Sequence, residues 1–230
     1  MNEIEQKSSL PENGPKAVKS ESPFTGSVLT PTEFNLEEIS RFPILTFKTY
    51  VQTVAILADE IQSKYGIYKT VPIIQSAHES AYGNSLLARK HGNLFGITAT
   101  DGWKKKGMPV ADMPTWEEVD ITEKNYPEWS AKNSSYDPQI LRESVDPSGN
   151  KHFRVKITLK REFRHYPSWR NSFDDWGRLI SGYSGYSHAY QLLKNKVTAP
   201  EGISEMGRIY ATDERYAISL LRLWAIIEPA

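Results

Sequence analysis

One glutamate of this chain, Glu79, stands close to the expected end of a short helix. The surrounding segment, residues 73–97, reads IIQSAHESAYGNSLLARKHGNLFGI, and Gly83 breaks the helix shortly after the glutamate. At about 100° per residue, the Glu79 side chain projects away from the apolar face formed by Ile73, Ile74 and Ala77. Its carboxyl group therefore faces either bulk water or a polar cleft.

A single carboxylic acid at the lip of a groove can protonate a leaving oxygen, which is the chemistry that cleavage of a glycosidic bond requires. Such an acid must keep its proton near neutral pH, so its surroundings should be partly dry. His78 precedes the glutamate, but Tyr82 stands where the zinc-protease motif needs its second histidine. The pattern therefore indicates acid catalysis without a metal ion, and we expect no cofactor.

Composition excludes several other functions. The 28 Lys and Arg residues balance the 28 Asp and Glu residues, so no overall field favours nucleic acid. The chain has no cysteine, which excludes disulfides, thiolate catalysis and Cys-ligated metals. No apolar run approaches the roughly 20 residues needed to cross a bilayer. We therefore expect neither a nucleic-acid nor a membrane partner.

The apolar periodicity predicts where the chain is folded. Residues 1–40 mix Ser, Glu, Lys and Pro without periodicity, which predicts a flexible N-terminal leader, with order beginning near Phe42. A helix should run from about residue 47 to a stop at Gly66. Thr70 should cap the helix that carries Glu79, and Asn84 should cap a short helix that follows.

The remaining elements predict an α+β, mainly α, domain over residues 41–230. Alternation over residues 153–160 indicates a strand, and we expect a β-hairpin with a long insertion, residues 120–149. Helices should return over residues 172–190 and 213–227. Arg164 should pair with Asp175, and Ser172 should cap the helix after the hairpin. A helical body with a hairpin flanking a groove is the lysozyme-like plan.

Four blocks of the sequence, in order from about residue 46 to residue 227, resemble the glucosaminidase family of bacterial cell-wall hydrolases (glycoside hydrolase family 73, which includes autolysins and flagellar peptidoglycan hydrolases). The blocks are the segment around Glu79, Trp103 with the Thr115-Trp-Glu117 motif, the Phe163-Arg-His-Tyr166 block, and the YATDERYA run from Tyr210. The resemblance implies a lysozyme-like catalytic domain that cleaves the β-1,4 bond between N-acetylglucosamine and N-acetylmuramic acid. It makes Glu79 the catalytic acid. A muramidase, a lytic transglycosylase and a non-catalytic wall-binding protein are the alternatives.

The resemblance also suggests a second carboxylate, Glu117, which would activate water or stabilise an oxocarbenium ion. The link from Glu117 to Phe163 is longer than is usual in the family, and this extra material makes Glu143 a rival. The N-acetyl group of the substrate can itself act as the nucleophile. Three candidates for the second group therefore remain open.

Further site residues follow from the same blocks. The family tyrosine that matches Tyr210 lines the cleft near the acid, so Tyr210 is either a catalytic residue or an ordinary core tyrosine. We expect a substrate-binding role for Asn93 in the turn after Glu79, and several aromatic rings could stack on sugars. These rings are Phe95, Tyr183, Tyr186 and Tyr190, each of which could equally be packing.

The resemblance implies peptidoglycan glycan strands as the substrate, a monomeric enzyme and action on the cell wall in the periplasm or outside the cell. The N-terminus lacks a basic region followed by an apolar core, so no Sec signal is expected. Export would then use a non-Sec route, phage lysis or an injection machine. An injected effector would require an immunity protein in the producing cell.

Overall fold

A computed structural model describes residues 34–211 and 215–228 of the chain. Two compact units are present: a helical body made from residues up to 111 and from 163 onward, and a smaller unit from residue 112 to 162. In chain order the helices are α1 (Leu36–Ser40), α2 (Phe47–Tyr65), α3 (Thr70–Glu79), α4 (Leu86–His91), α5 (Asp101–Lys105), α6 (Tyr126–Lys132), α7 (Trp169–Gly182), α8 (Ser187–Leu192), α9 (Ala199–Tyr210) and α10 (Arg215–Ile227). The strands are β1 (Val110–Thr122), β2 (Gln139–Val145) and β3 (Lys151–Arg164). A mainly helical α+β fold with a three-stranded antiparallel sheet confirms the predicted fold class.

Helix α2 forms as the periodicity predicts. Thr46 caps its N-terminus, and Gly66 ends it in the left-handed conformation, with φ at 68°. Glycine adopts this conformation without the steric cost that a side chain would add. The buried face of α2 includes Tyr50, Val54 and Leu57, and it packs against α3 and α7.

Helix α3 is buried on almost every side, because α2 and α10 both pack against it. Its polar residues Gln75 and Ser76 have no exposed surface. Thr70 is the first residue of the helix rather than its cap. The Thr70 hydroxyl instead donates a hydrogen bond to Glu228, beyond the end of α10. The two helices are thereby joined at this end.

The Glu228 carboxylate is the centre of that junction. It accepts hydrogen bonds from Thr70 at 2.7 Å and from Tyr68 at 3.0 Å, and Lys196 lies 2.6 Å away. Burial alone would raise the pKa of Glu228, but these three donors outweigh burial and lower it below its usual value of 4.5. The ionised carboxylate therefore stabilises the fold.

Folded structure is present before the predicted start near Phe42. Phe34 and Ile39 are buried, and helix α1 starts with a capping box in which Asn35 and Glu38 bond to each other's backbone. An element of five residues is too short to show helical periodicity in the sequence, which explains why it was not predicted. The rest of the predicted leader, residues 1–33, lies outside the described residues.

The helices of the C-terminal half are interrupted more often than the sequence predicts. The expected helix over residues 172–190 is two helices, α7 and α8, separated by a short 3₁₀ turn at Ser184–Tyr186. Ser168 caps α7, whereas Ser172 lies inside the helix and its hydroxyl accepts a hydrogen bond from the backbone of Leu94. Helix α9 was not predicted. Ser85 rather than Asn84 caps α4.

The smaller unit shows that the insertion has structure of its own. It supplies helix α6 and strand β2, and the sheet order is β1-β3-β2. Strand β2 pairs antiparallel with β3, from Gln139 opposite Lys156 to Val145 opposite Lys151. All seven residues of β2 are exposed. The predicted hairpin is thus widened by a third strand at its edge.

Candidate active site

Glu79 is the last residue of α3 and is partly exposed, although the helix before it is buried. The chain turns sharply after it: Ala81, Tyr82 and Gly83 all have positive φ, at 49°, 59° and 75°. Two of these residues carry side chains, for which the left-handed region is unfavourable. A strained turn of this kind persists only where surrounding contacts hold it in place.

Hydrogen bonds from Ser80 hold this turn. The Ser80 hydroxyl donates to the carbonyl of Ser76 at 2.5 Å and accepts from the amide of Gly83 at 2.7 Å. The amide of Tyr82 donates to the carbonyl of Ala77 at 2.9 Å. The backbone that carries Glu79 is therefore tied back onto its own helix.

Gly83 lies directly against the aromatic core. A Cβ atom at this position would lie 2.6 Å from Cη2 of Trp169 and 3.0 Å from Cε2 of Tyr50. Contacts this short do not occur between real side chains, so only glycine fits. The close approach requires glycine at this point, and the positive φ favours it.

A second helix supplies the hydrogen-bond partner of Glu79. The Tyr216 hydroxyl, on α10, donates to Oε1 of Glu79 at 2.7 Å. Burial raises the pKa of Tyr216 well above its usual value, and the charge of Glu79 raises it further. The phenol therefore keeps its proton and acts as a fixed donor to the carboxyl group.

Two buried residues extend this contact into the core. The side-chain amide of Gln75 donates to the Tyr216 hydroxyl at 3.0 Å, and the indole N–H of Trp176 donates to Oε1 of Gln75 at 2.8 Å. Gln75 and Trp176 have no exposed surface. A continuous hydrogen-bond chain thus runs from α7 through α3 and α10 to the carboxyl group of Glu79.

Tyr210, one of the predicted catalytic residues, lies beside this chain. Its ring stacks on the ring of Tyr216, with centroids 5.9 Å apart and an angle of 16° between the planes. Its hydroxyl donates to the backbone carbonyl of Phe95 at 2.6 Å. Tyr210 therefore connects the Tyr216 ring to the turn that follows α4.

The turn at residues 93–97 is a structural clamp. The Asn93 amide group donates to the carbonyls of Ile97 and Arg164, and its oxygen accepts from the amide of Ile97. Asn93 is 1% exposed. Because its donors and its acceptor are used within the protein, the expected substrate-binding role of Asn93 does not fit the structure.

Phe95 also needs correction. The ring is fully buried, stacked on Trp176 at 5.2 Å and edge-on to Phe173. A buried ring has no face to offer a sugar, so Phe95 is a core residue. Its contribution to the site is the carbonyl that holds Tyr210.

The three other predicted stacking rings differ in exposure. Tyr186 is buried, and Tyr190 donates its hydroxyl to the carbonyl of Tyr65 at 2.8 Å. Tyr183 is 43% exposed and meets Tyr186 edge to face. Tyr183 therefore has the exposed surface that stacking on a sugar requires and Tyr190 is partly exposed, whereas burial argues against a binding role for Tyr186.

The rival carboxylates Glu117 and Glu143 both belong to the smaller unit. Glu117, on β1, forms a salt bridge with Arg161 of β3, and its side chain is 32% exposed. Glu143, on β2, pairs with Lys151 at 2.8 Å and is 55% exposed. Glu117 is thus the less exposed of the two carboxylates.

The predicted pairing of Arg164 with Asp175 is confirmed, at 2.8 Å. Asp175 also accepts a hydrogen bond from Tyr166 at 2.6 Å, and the Arg164 guanidinium lies over the ring of Trp103. Both charged side chains are only 13% exposed. This group joins the segment after β3 to helix α7.

Neither a metal-binding cluster nor a membrane-spanning helix is present within residues 34–211 and 215–228. This part of the chain has no group of three or more His, Asp or Glu side chains arranged to hold a metal ion. His78 packs edge-on against the ring of Tyr216. No helix in the same described ranges is long and apolar enough to cross a bilayer.

Two functional residues were missed in the sequence. Tyr216 belongs to the apolar stripe of α10, a pattern that by itself indicates packing. Gln75 shares a side of α3 with Glu79, which indicates only a face turned to bulk water or to a polar cleft. A glutamine that lies one helical turn before a candidate acid is the only sequence signal for this contact.

Comparison with known proteins identifies relatives of this site. Residues 55–228 match the family model described as glucosaminidase, mannosyl-glycoprotein endo-beta-N-acetylglucosaminidase. The chain is 27% identical over 174 residues to the peptidoglycan hydrolase FlgJ of Vibrio cholerae, covering 74% of this chain. The match spans only 41% of that relative's length.

Two solved structures share the fold. The catalytic domain of the autolysin Auto from Listeria monocytogenes superposes with a TM-score of 0.52 at 22% identity, covering 83% of this chain and 90% of that one. The glycoside hydrolase domain of FlgJ from Salmonella typhimurium gives a TM-score of 0.50 at 20% identity, covering 80% and 89%. At these identities the similarity shows a common fold.

Proposed function

Since the chain belongs to the glucosaminidase family of glycoside hydrolases, we propose that it cleaves peptidoglycan. The bond is the β-1,4 linkage between N-acetylglucosamine and N-acetylmuramic acid. The FlgJ relative is named as a peptidoglycan hydrolase, which supports the choice of substrate. The substrate would be the glycan strands of the cell wall, and the chain would act in the wall compartment.

One observation supports this proposal most directly. Glu79 is a partly exposed carboxyl group at the end of a buried helix, and a buried tyrosine donates a hydrogen bond to it. This arrangement suits a general acid, because the Tyr216 hydroxyl stabilises the negative charge that forms on Glu79 as its proton leaves.

In the proposed reaction, Glu79 transfers its proton to the glycosidic oxygen as the bond from C1 to that oxygen breaks. The bonding electrons remain with the leaving oxygen, which becomes the hydroxyl group of the N-acetylmuramic acid product. A water molecule then adds to C1 and loses a proton. The product on the other side is a new reducing N-acetylglucosamine end.

The second group of the reaction is either a carboxylate, for which we favour Glu117 over Glu143, or the acetamido group of the substrate. Glu117, which forms a salt bridge with Arg161, would accept the proton of the attacking water. The acetamido oxygen would instead bond to C1 first, and water would open the resulting ring. Tyr210 would support the site through its contact with Tyr216.

Purified wall suspensions test the proposal. The wild-type protein should clear them, whereas Glu79→Gln should bind wall without clearing it and should unfold at the wild-type temperature, because Glu79 is at a helix end and partly exposed. Mass spectrometry of the products should show reducing N-acetylglucosamine ends.

Other results would redirect the assignment. Reducing muramic acid ends would make the protein a muramidase, and anhydro-muramic acid ends would make it a lytic transglycosylase. A wild-type protein that sediments with wall and never clears it would be a binding protein. A fully active Glu79→Gln variant would remove Glu79 from the mechanism.

A further inference from the structure

The hydrogen-bond chain behind Glu79 has a fixed direction. The indole N–H of Trp176 can only donate, so the Gln75 atom facing it, 2.8 Å away, must be the amide oxygen. The amide nitrogen of Gln75 then faces Tyr216 and donates to its oxygen at 3.0 Å. With its oxygen occupied as an acceptor, Tyr216 directs its own proton to Oε1 of Glu79, 2.7 Å away.

Burial prevents this direction from reversing. Trp176 and Gln75 have no exposed surface, and Tyr216 is 7% exposed. Turning the Gln75 amide around would place its N–H group against the N–H group of Trp176. Two buried donors would then lack acceptors, which is costly because water cannot replace the lost bonds.

We infer that Trp176 and Gln75 are positioning residues which, through Tyr216, place the transferable proton of Glu79 on Oε2. An oxygen that accepts the hydrogen bond from Tyr216 is the carbonyl oxygen of the protonated acid, so the acidic proton is on the other oxygen. This inference rests on the proposed function of Glu79 as the acid. It adds that the buried hydrogen-bond chain determines which carboxyl oxygen of Glu79 delivers the proton.

Two substitutions remove the fixed order of donors and acceptors in the hydrogen-bond chain while leaving a buried side chain at each position. Gln75→Met takes away the donor to Tyr216, so the phenol proton is no longer directed. Trp176→Phe keeps an aromatic ring against Phe95 and lets the Gln75 amide turn around. In both variants the Glu79 proton can occupy Oε1 and point at Tyr216. We expect kcat on wall glycan to fall about 3- to 10-fold, as one neutral hydrogen bond allows, with KM within about twofold of wild type.

The infrared carbonyl band of protonated Glu79 provides a readout that packing alone would not move. The band is isolated by subtracting the spectrum of the same protein carrying Glu79→Gln. In wild type the carbonyl oxygen accepts a bond from Tyr216. In Gln75→Met and Trp176→Phe part of the band should move to higher wavenumber, since the carbonyl oxygen is then no longer the one facing Tyr216.

Trp169→Phe is the matched control. Trp169 is an equally buried tryptophan whose ring lies against Gly83 in the turn after Glu79. Its indole N–H donates to the carbonyl of Ala88 at 3.0 Å, outside the hydrogen-bond chain to Glu79. The substitution therefore loosens the core beside that turn without changing the hydrogen-bond chain. This variant should lose stability and keep the wild-type band.

Each result decides the inference. A band that keeps its wild-type position in both variants overturns it, and so does a band that moves without any fall in kcat. A band that moves equally in Trp169→Phe also overturns it, because general loosening of the core would then be the cause. If the wild-type protein cleaves no glycan, the proposed function fails, and the band alone decides where the proton lies.

Discussion

The turn after Glu79 gives a stability prediction with an internal control. Gly83→Ala places a methyl group in the left-handed conformation and 2.6 Å from the Trp169 ring. Gly66→Ala meets the same backbone strain, with φ at 68°, and its new methyl group has no neighbour within 4 Å. The two variants therefore differ mainly in the collision with the core.

The structure sets the size of each effect. Left-handed backbone costs a side-chain-bearing residue roughly 1–2 kcal/mol, and overpacking a core adds about 1–3 kcal/mol. Gly66→Ala should lower the free energy of unfolding by about 1–2 kcal/mol and Gly83→Ala by about 2–5 kcal/mol. Urea denaturation, with similar m-values for the two variants, measures the difference.

The same variant also tests the position of Glu79. Relief of the collision must move the turn that directly follows the acid, and a displacement of about 1 Å at a reacting group can cost roughly a hundredfold in rate. We therefore expect Gly83→Ala to lose most of its wall-clearing activity while Gly66→Ala keeps it. If Gly83→Ala is no less stable than Gly66→Ala, the close approach to Trp169 does not constrain this turn and the reasoning is refuted.

Three further outcomes are expected. Tyr216→Phe should lower kcat about 5- to 10-fold with little change in KM. The reason is that a hydrogen bond to the carboxylate of Glu79 is worth about 1 kcal/mol more than a hydrogen bond to the neutral acid. An unchanged kcat would contradict this prediction. Glu117→Gln should slow wall clearing more than Glu143→Gln does, and the opposite order would transfer the second catalytic role to Glu143. The pKa of Glu228 is lowered in the folded protein, so its ionised form stabilises the fold above pH 4.5, and this contribution is lost as the pH falls through the lowered value. Thermal unfolding below pH 4.5 should therefore depend less steeply on pH in Glu228→Gln than in wild type.

Long periodic segments were the most predictable part of the fold. Helix α2 and its end at Gly66 follow from spacing and from one glycine, and α10 begins and ends close to its predicted bounds. Strand β2 could not be predicted, because all seven of its residues are exposed and no alternation of apolar and polar side chains marks it. Short elements such as α1 lack enough turns to show a period.

The site was predictable in part. The glycine break, the turn at residues 93–97 and the resemblance to the glucosaminidase family together singled out Glu79. The Arg164–Asp175 pair followed from opposite charges in one block. Tyr216 was not predictable as a partner of Glu79, because an aromatic residue on an apolar stripe usually packs in the core, and here the same residue does both. The burial of the Phe95 ring was not predictable either, because the ring belongs to a turn motif and residues in turns are usually exposed.

The contact between Tyr216 and Glu79 joins residues 137 positions apart in the sequence. During synthesis on the ribosome, the acid emerges long before the helix that holds its hydrogen-bond donor. A nascent chain that has reached only α9 contains Glu79 and Gln75 and still lacks Tyr216, whose hydroxyl bonds to both side chains. The complete site therefore assembles only after α10 has been synthesised, and translation that stops before α10 yields a fragment without it.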